Sequence, residues 1–198
     1  MVIKKDIHSD PDVRRMLNYQ NGDQRAFREL FEIHQKPVIN FCFRFCQNRA
    51  LAEDLAQEVF LRVYRGAAGY RPEARFNTWL YRIAVNVCLN ETRKIHYRVQ
   101  VDSIDRPGPK GGDDSPKQIC DEEQADPGEK VASKQRGEMI ARSLAGLPDQ
   151  QRIALALRTY QEFSYEDIAG QMSCSEGKVK TLIFRARQSL KEMLKDFL

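Results

Sequence analysis

Toward the C-terminal end, cations and a hydroxyl recur at helical spacing: Lys178, Lys180, Thr181, Arg185 and Arg187. Lys and Arg pair with phosphate oxygens or guanine edges, and Thr bonds either or touches a thymine methyl. Val179, Leu182, Ile183 and Ala186 alternate with them, so one helix face packs and the others carry charge. A second constellation lies between Tyr70 and Asn86. Tyr70, Phe76 and Trp79, the only tryptophan, interleave with Arg71, Arg75 and Arg82 beside Asn77 and Asn86. Aromatic faces stack on unpaired bases while flanking cations follow the strand's phosphates. A loop preceding such a helix can also hold one base turned out of the stack. Phe76, Trp79, Leu80 and Ile83 equally have the spacing of a core stripe, and the residues alone leave both uses open. A third group, Asp54, Gln57 and Glu58, sits at i, i+3 and i+4 and shares one helix face. In a basic region such a strip suits a basic partner surface, or simply solvent.

Nothing comparable points to bond-making chemistry. No acidic triad clusters and no His-centred site is visible, so a nuclease or other enzyme is disfavoured, with no cofactor or small-molecule substrate expected. The five cysteines (Cys42, Cys46, Cys88, Cys120, Cys174) are odd in number and form no CxxC pair. A disulfide framework is therefore not expected, and a reducing cytoplasm fits. A metal site would need His34 or His96 brought beside Cys42 and Cys46; none is predicted. The N-terminus lacks the apolar run of a signal peptide, and no stretch has the length of a membrane span.

The elements that must position these groups read as helices throughout. Ser9 or Asp10 can cap a helix through Val13, Met16 and Leu17, ended by Asn21-Gly22. Asp23 caps the next, with Phe27, Leu30, Phe31 and Ile33 at helical spacing. Pro37 lacks a backbone donor and predicts a kink or a fresh start there. A third helix is expected from about Leu51 to Arg65, with Ala52, Leu55, Ala56, Val59 and Val63 inward and Gly66 and Gly69 at its end. A fourth runs from about Phe76 to Tyr97. Further on, helices are expected from about Val131 to Ala145 and from Pro148 through Leu157. Ser164-Tyr-Glu-Asp167 is a capping-box pattern opening a short helix. Met172–Ser175 is the turn into the cationic helix, with small Ala169 and Gly177 expected where the two helices cross.

Charge divides the chain of 198 residues. The net +4 splits into +6 over residues 1–98, −5 over 99–130 and +3 over 131–198. The middle part is rich in Pro, Gly and acid, the composition of a flexible linker. The expected fold is all-α. A helical bundle at 10–97 and a helix-turn-helix four-helix domain at 131–198 are joined by the acidic linker at 98–130. A short helix, a tight turn and a longer cationic helix is the geometry that enters the DNA major groove. That much leaves open a regulator whose first domain merely senses or dimerises.

The motifs taken in order narrow this. GDQRAFRELFE, DLAQEVFLRVYR, FNTWLYRIAVN, LPDQQRIALALR, and FSYEDIAGQM followed by FRARQSLKEML together resemble bacterial RNA polymerase sigma factors of the extracytoplasmic-function group. The resemblance covers about Tyr19–Lys94 and Glu138–Leu194. It implies a factor that binds core RNA polymerase and promoter DNA, helps open the duplex, serves a stress or envelope response, and is restrained by an anti-sigma factor, often membrane-bound. Asp54, Gln57 and Glu58 then correspond to the face that docks on the coiled coil of the largest polymerase subunit. Tyr70–Asn77 and the following helix with Asn86 correspond to the reader of the melted minus-ten element. Lys178, Lys180, Thr181, Phe184 and Arg185 correspond to the minus-thirty-five recognition helix. The acidic linker corresponds to a segment threaded through the polymerase toward the RNA exit path. Where relatives often have Gly-Thr-Val-Arg-Ser-Arg, this chain has Gly177-Lys-Val-Lys-Thr-Leu182. Lys cannot make the bidentate fork of Arg to guanine, so a relative's promoter sequence does not transfer. Glu176 at the helix start is expected to repel a nearby phosphate while suiting the helix dipole.

Overall fold

In a computed structural model of the chain, the described residues are 7–102, 137 and 139–195. The expected linker, and the start of the helix placed from Val131, lie outside them. The described residues are helical, with no strand among them. The N-terminal half holds α1 (Pro11–Gln20), α2 (Gln24–Cys46), α3 (Arg49–Gly66) and α4 (Phe76–Asp102). The C-terminal half holds α5 (139–145), α6 (Asp149–Tyr160), α7 (Tyr165–Met172) and α8 (Glu176–Met193).

Local chemistry accounts for most boundaries. The Asp10 carboxylate accepts from the Asp12 N–H at 3.0 Å and Pro11 follows in the first turn, so α1 starts there. Gly22, at φ +101°, makes the left-handed turn after α1. Asp23 caps α2 by accepting from the Arg25 N–H at 3.0 Å, and Asn48 caps α3 by accepting from Leu51 N–H at 2.9 Å. Two elements depart from expectation. α2 makes no fresh start at Pro37, which lies inside one continuous helix, because Val38, Phe41, Cys42 and Phe45 beyond it bury on the same stripe as Ala26, Leu30 and His34. Tertiary burial there outweighs one missing backbone hydrogen bond. α4 continues to Asp102, five residues past its expected end at Tyr97. Phe31 and Ile33 also differ from expectation: they are 38 % and 45 % exposed, and Leu30 and His34 take the inward positions.

The two halves share one continuous core instead of standing apart. α4 packs against α7 and α6, and α2 against α6. The Tyr81 and Phe163 rings meet edge to face at 5.6 Å across this junction, and the Arg44 guanidinium lies 3.8 Å above the Tyr160 ring. Arg152, from the start of α6, donates from Nη1 to the Phe45 carbonyl at the C-terminal end of α2. Its other terminal nitrogen donates to the carbonyls of Ala145 (3.2 Å) and Leu147 (2.9 Å) and to Asp149 Oδ1 (3.2 Å). One guanidinium therefore fixes the α5–α6 turn and caps a helix of the other half.

Candidate nucleic-acid interface

The helix-turn-helix is built as its sequence predicts. Ser164 Oγ accepts from the Asp167 N–H at 3.1 Å while the Asp167 carboxylate accepts from the Ser164 N–H at 3.2 Å, closing a capping box. Ser173 takes a left-handed conformation at φ 50° and ends α7. The Ser175 hydroxyl then caps α8 by accepting from Lys178 N–H at 3.3 Å. Val179, Ile183 and Ala186 bury against α6 and α7, with Leu182 partly covered. Gly177 is not at a close crossing: it is exposed, and a Cβ there would meet nothing within 4 Å.

The inward set leaves Lys178, Lys180, Thr181, Phe184, Arg185 and Arg187 exposed, with Phe184 at 63 %. Lys180 Nζ pairs with Glu176 Oε1 at 2.7 Å, and that hydrogen bond raises the lysine's pKa. Glu176 thus meets a neighbouring cation one turn away. The Thr181 hydroxyl donates to Gly177 O at 2.9 Å, leaving its methyl and lone pairs to the outside.

The aromatic constellation divides. Phe76 and Tyr70 are core residues, 1 % and 5 % exposed, and are not available as open stacking faces. Burial raises the Tyr70 hydroxyl pKa to about 12. Trp79 is only partly covered, and Arg71, Arg75, Arg82 and Asn86 are exposed. A cleft open to solvent brings Arg71, Trp79 and Arg82 together with Tyr70, Glu73 and Thr78, and with Gly170 and Gln171 of α7. Arg75, Asn77 and Asn86 are not among its walls. The loop carrying Tyr70 and Arg71 is held from α1: Gln20 Nε2 donates to Ala67 O at 2.8 Å and Tyr70 O at 3.0 Å. Beneath it, His34 shares a hydrogen bond with Asp12 at 2.9 Å and lies 5.3 Å from the Phe76 ring.

On α3, Asp54 and Gln57 are exposed, and Glu58 pairs with Arg62 at 2.7 Å. Gln57 borders an apolar groove between α2 and α3 lined by Phe31, Ile39 and Phe60. Sequence reasoning missed this groove, since Phe31 has the spacing of a core residue. It missed Gln20, Arg152 and Gln171 as well: a solvated helix face carries the same residue types. Cys42 and Cys88 are buried, and burial raises the Cys46 thiol to about 11. Such thiols are poor nucleophiles. No cluster of three potential metal ligands occurs among the described residues.

The described residues thus carry a capped, cationic helix-turn-helix and, bordering it, an aromatic–arginine cleft, surfaces of the kinds found in nucleic-acid-binding proteins. The comparisons specify the class. Residues 30–97 match Sigma-70 region 2, and residues 137–190 match Sigma-70, region 4. The chain is 32 % identical to RNA polymerase sigma-H factor of Pseudomonas aeruginosa over 96 % of both chains. It is 31 % identical to the ECF RNA polymerase sigma factor SigW of Bacillus subtilis over 92 % of this chain and 96 % of that one. Against the ECF RNA polymerase sigma-E factor of Escherichia coli it is 33 % identical over 86 % and 87 %. The fold is similar to that of the sigma factor RpoE of Bartonella quintana, solved in complex with the anti-sigma factor NepR: TM-score 0.67, 22 % identity, 88 % of this chain and 99 % of that one. CnrH, solved with the cytosolic domain of CnrY, gives TM-score 0.67 at 20 % identity over 96 % and 100 %. The chain belongs to the sigma-70 family of RNA polymerase sigma factors, in its ECF group. It acts in promoter-directed transcription initiation, binding core RNA polymerase and promoter DNA, and it is not an enzyme.

Proposed function

We propose that the three constellations divide that work. In this assignment the unit at 10–97 docks on core polymerase and holds the melted minus-ten strand, and the unit at 131–198 reads the minus-thirty-five duplex. The acidic segment at 98–130 joins them. Lys178, Lys180, Thr181, Phe184, Arg185 and Arg187 enter the major groove. Arg71, Trp79 and Arg82, with Arg75, Asn77 and Asn86 alongside, receive the unpaired strand, while buried Tyr70 and Phe76 set the position of the loop and of Trp79. Asp54, Gln57 and Glu58 meet the polymerase coiled coil, with the Phe31–Phe60 groove supplying apolar area beside them. The observation that carries the assignment is the gathering of the sole tryptophan and two arginines in one cleft apart from the recognition helix.

The described helices include none long and apolar enough to cross a membrane. We place the chain in the cytoplasm, where its polymerase acts, in a stress or envelope response. The solved complex of a sigma factor of similar fold with an anti-sigma factor supports a partner of that kind. Promoter-bound holoenzyme tests the division. Trp79→Ala or Asn86→Ala should lower strand opening, read by permanganate reactivity of unpaired thymines, while duplex retention persists. Arg185→Ala should lower retention itself. Equal loss of both readouts in all variants would refute the division.

A further inference from the structure

The loop that brings Tyr70 and Arg71 to the Trp79 cleft is seated by apolar contacts and by one polar residue from another element. Ala67 is buried, and the Tyr70 and Trp79 rings meet edge to face at 4.9 Å. A Cβ on Gly66 would stand 3.5 Å from the Trp79 ring, so the start of the loop also lies against it. The seating carries a penalty. The Tyr70 hydroxyl is buried without a hydrogen-bond partner, whereas in water it would have one. The backbone of the same segment is held by Gln20, the last residue of α1. Its Nε2 donates to Ala67 O at 2.8 Å and to Tyr70 O at 3.0 Å, with Ala68 O at 3.5 Å. A carboxamide nitrogen has two N–H donors, and only a donor suits a position among three carbonyls. Gln20 is steadied by its neighbour: the Tyr19 ring packs 4.9 Å from Phe27 and 6.1 Å from Tyr64. Gln20 lies outside residues 30–97, which match Sigma-70 region 2, and it is not among the residues that line the cleft.

We propose that Gln20 is a positioning residue for promoter opening: its amide fixes the loop at 67–71 so that Tyr70, Arg71 and Trp79 form one receiving surface for the unpaired strand. This rests on the assignment of the Trp79 cleft to that strand. Gln20 acts through the loop and not by touching DNA. Without its hold, the unpaired hydroxyl draws Tyr70 toward water, the ring leaves Trp79, and Arg71 moves with it. A strand must then reorder the loop before it binds, which lowers its affinity. Duplex contact through α8 does not use this loop, so the effect falls on opening.

Gln20→Met keeps the length of the side chain and removes its donors. Gln20→Lys keeps donors, since an ammonium carries three. Asn48→Ala removes the cap of α3, a loss of stability of similar size away from the loop. In the full chain, acrylamide quenching of Trp79, the only tryptophan, reads the seating of the loop. Acrylamide is uncharged, so the added lysine charge does not enter that readout. In holoenzyme on promoter DNA, permanganate reactivity of unpaired thymines reads opening, and circular dichroism melting confirms that each variant is folded. Gln20→Met should raise quenching and lower opening about three- to tenfold, with duplex retention unchanged. Gln20→Lys should restore both, and Asn48→Ala should change neither. Equal loss of opening in Gln20→Met and Asn48→Ala would reduce Gln20 to a stabilising residue and overturn the proposal. So would opening restored by Gln20→Lys while quenching stays high, since charge alone would then act. If Gln20→Met opens as the native chain does while Trp79→Ala does not, the proposal falls and the cleft assignment stands. If Trp79→Ala opens normally, the assignment falls and the proposal with it.

Discussion

Lys180 stands near the N-terminal end of α8 and is already engaged by Glu176 at 2.7 Å. Two roles are open to it, and a double-mutant cycle separates them. In the first, Lys180 leaves Glu176 and neutralises a phosphate. In the second, it stays and merely cancels a carboxylate that would otherwise face the DNA. Each neutralised phosphate contributes about 0.9 to the slope of log K against log salt, which is about 3.5-fold in affinity between about 50 and about 200 mM salt. If Lys180 contacts phosphate, Lys180→Ala should make the slope shallower by about 0.9, both in the native chain and in a Glu176→Gln background. Glu176→Gln alone should tighten binding by releasing the lysine. If Lys180 only screens Glu176, Lys180→Ala weakens binding in the native chain but has no effect beside Glu176→Gln. Arg185→Ala, on an exposed guanidinium of the same helix, is the reference for a full phosphate contact. The assay is fluorescence anisotropy of holoenzyme on a duplex carrying only the upstream element, over a salt series. An unchanged slope for Lys180→Ala in the Glu176→Gln background would refute phosphate contact by this residue.

Arg152→Ala should destabilise the chain by about 3 kcal/mol in urea denaturation, since it leaves a carboxylate and several carbonyls without their donor; Arg152→Lys should recover little, because an ammonium cannot span the same acceptors. Phe31→Asp should weaken core polymerase capture in a pull-down while leaving duplex binding by the full chain unchanged, because the Phe31–Phe60 groove shares no residue with the two proposed DNA surfaces. The hydrogen bond from His34 is the largest influence holding the Asp12 carboxyl below its ordinary range, with Arg15 adding to it. Its stabilising contribution is complete above the unfolded-state pKa and is lost as pH falls through the lower folded value. Asp12→Asn should therefore cost about 1 kcal/mol near neutral pH, and the difference from the native chain should shrink in a denaturation series as pH falls through the lowered folded value.

What the sequence determines by itself is local or periodic. Asp10, Asp23, Asn48 and Ser164 start helices because a short polar side chain can satisfy backbone N–H groups within its own reach, wherever the helix later packs. The exposed set on α8 follows from the inward stripe of Val179, Ile183 and Ala186, since one face packed leaves the others to solvent. Tertiary structure decides what covers a face. Periodicity marks Phe31 and Phe76 alike as apolar positions; Phe76 lies under His34 and Tyr70 as core, while Phe31 edges an open groove. Pro37 predicts a kink or a fresh start, and burial on both sides of it keeps one helix running through it. The hold of Gln20 on Ala67 and Tyr70 and the reach of Arg152 to Phe45 carry no local signature, because those groups lie tens of residues away and only the folded chain brings them together. The contribution of Gly170 and Gln171 to the lining of the Trp79 cleft is of the same kind: a meeting of two separately patterned surfaces, which no spacing within either can encode.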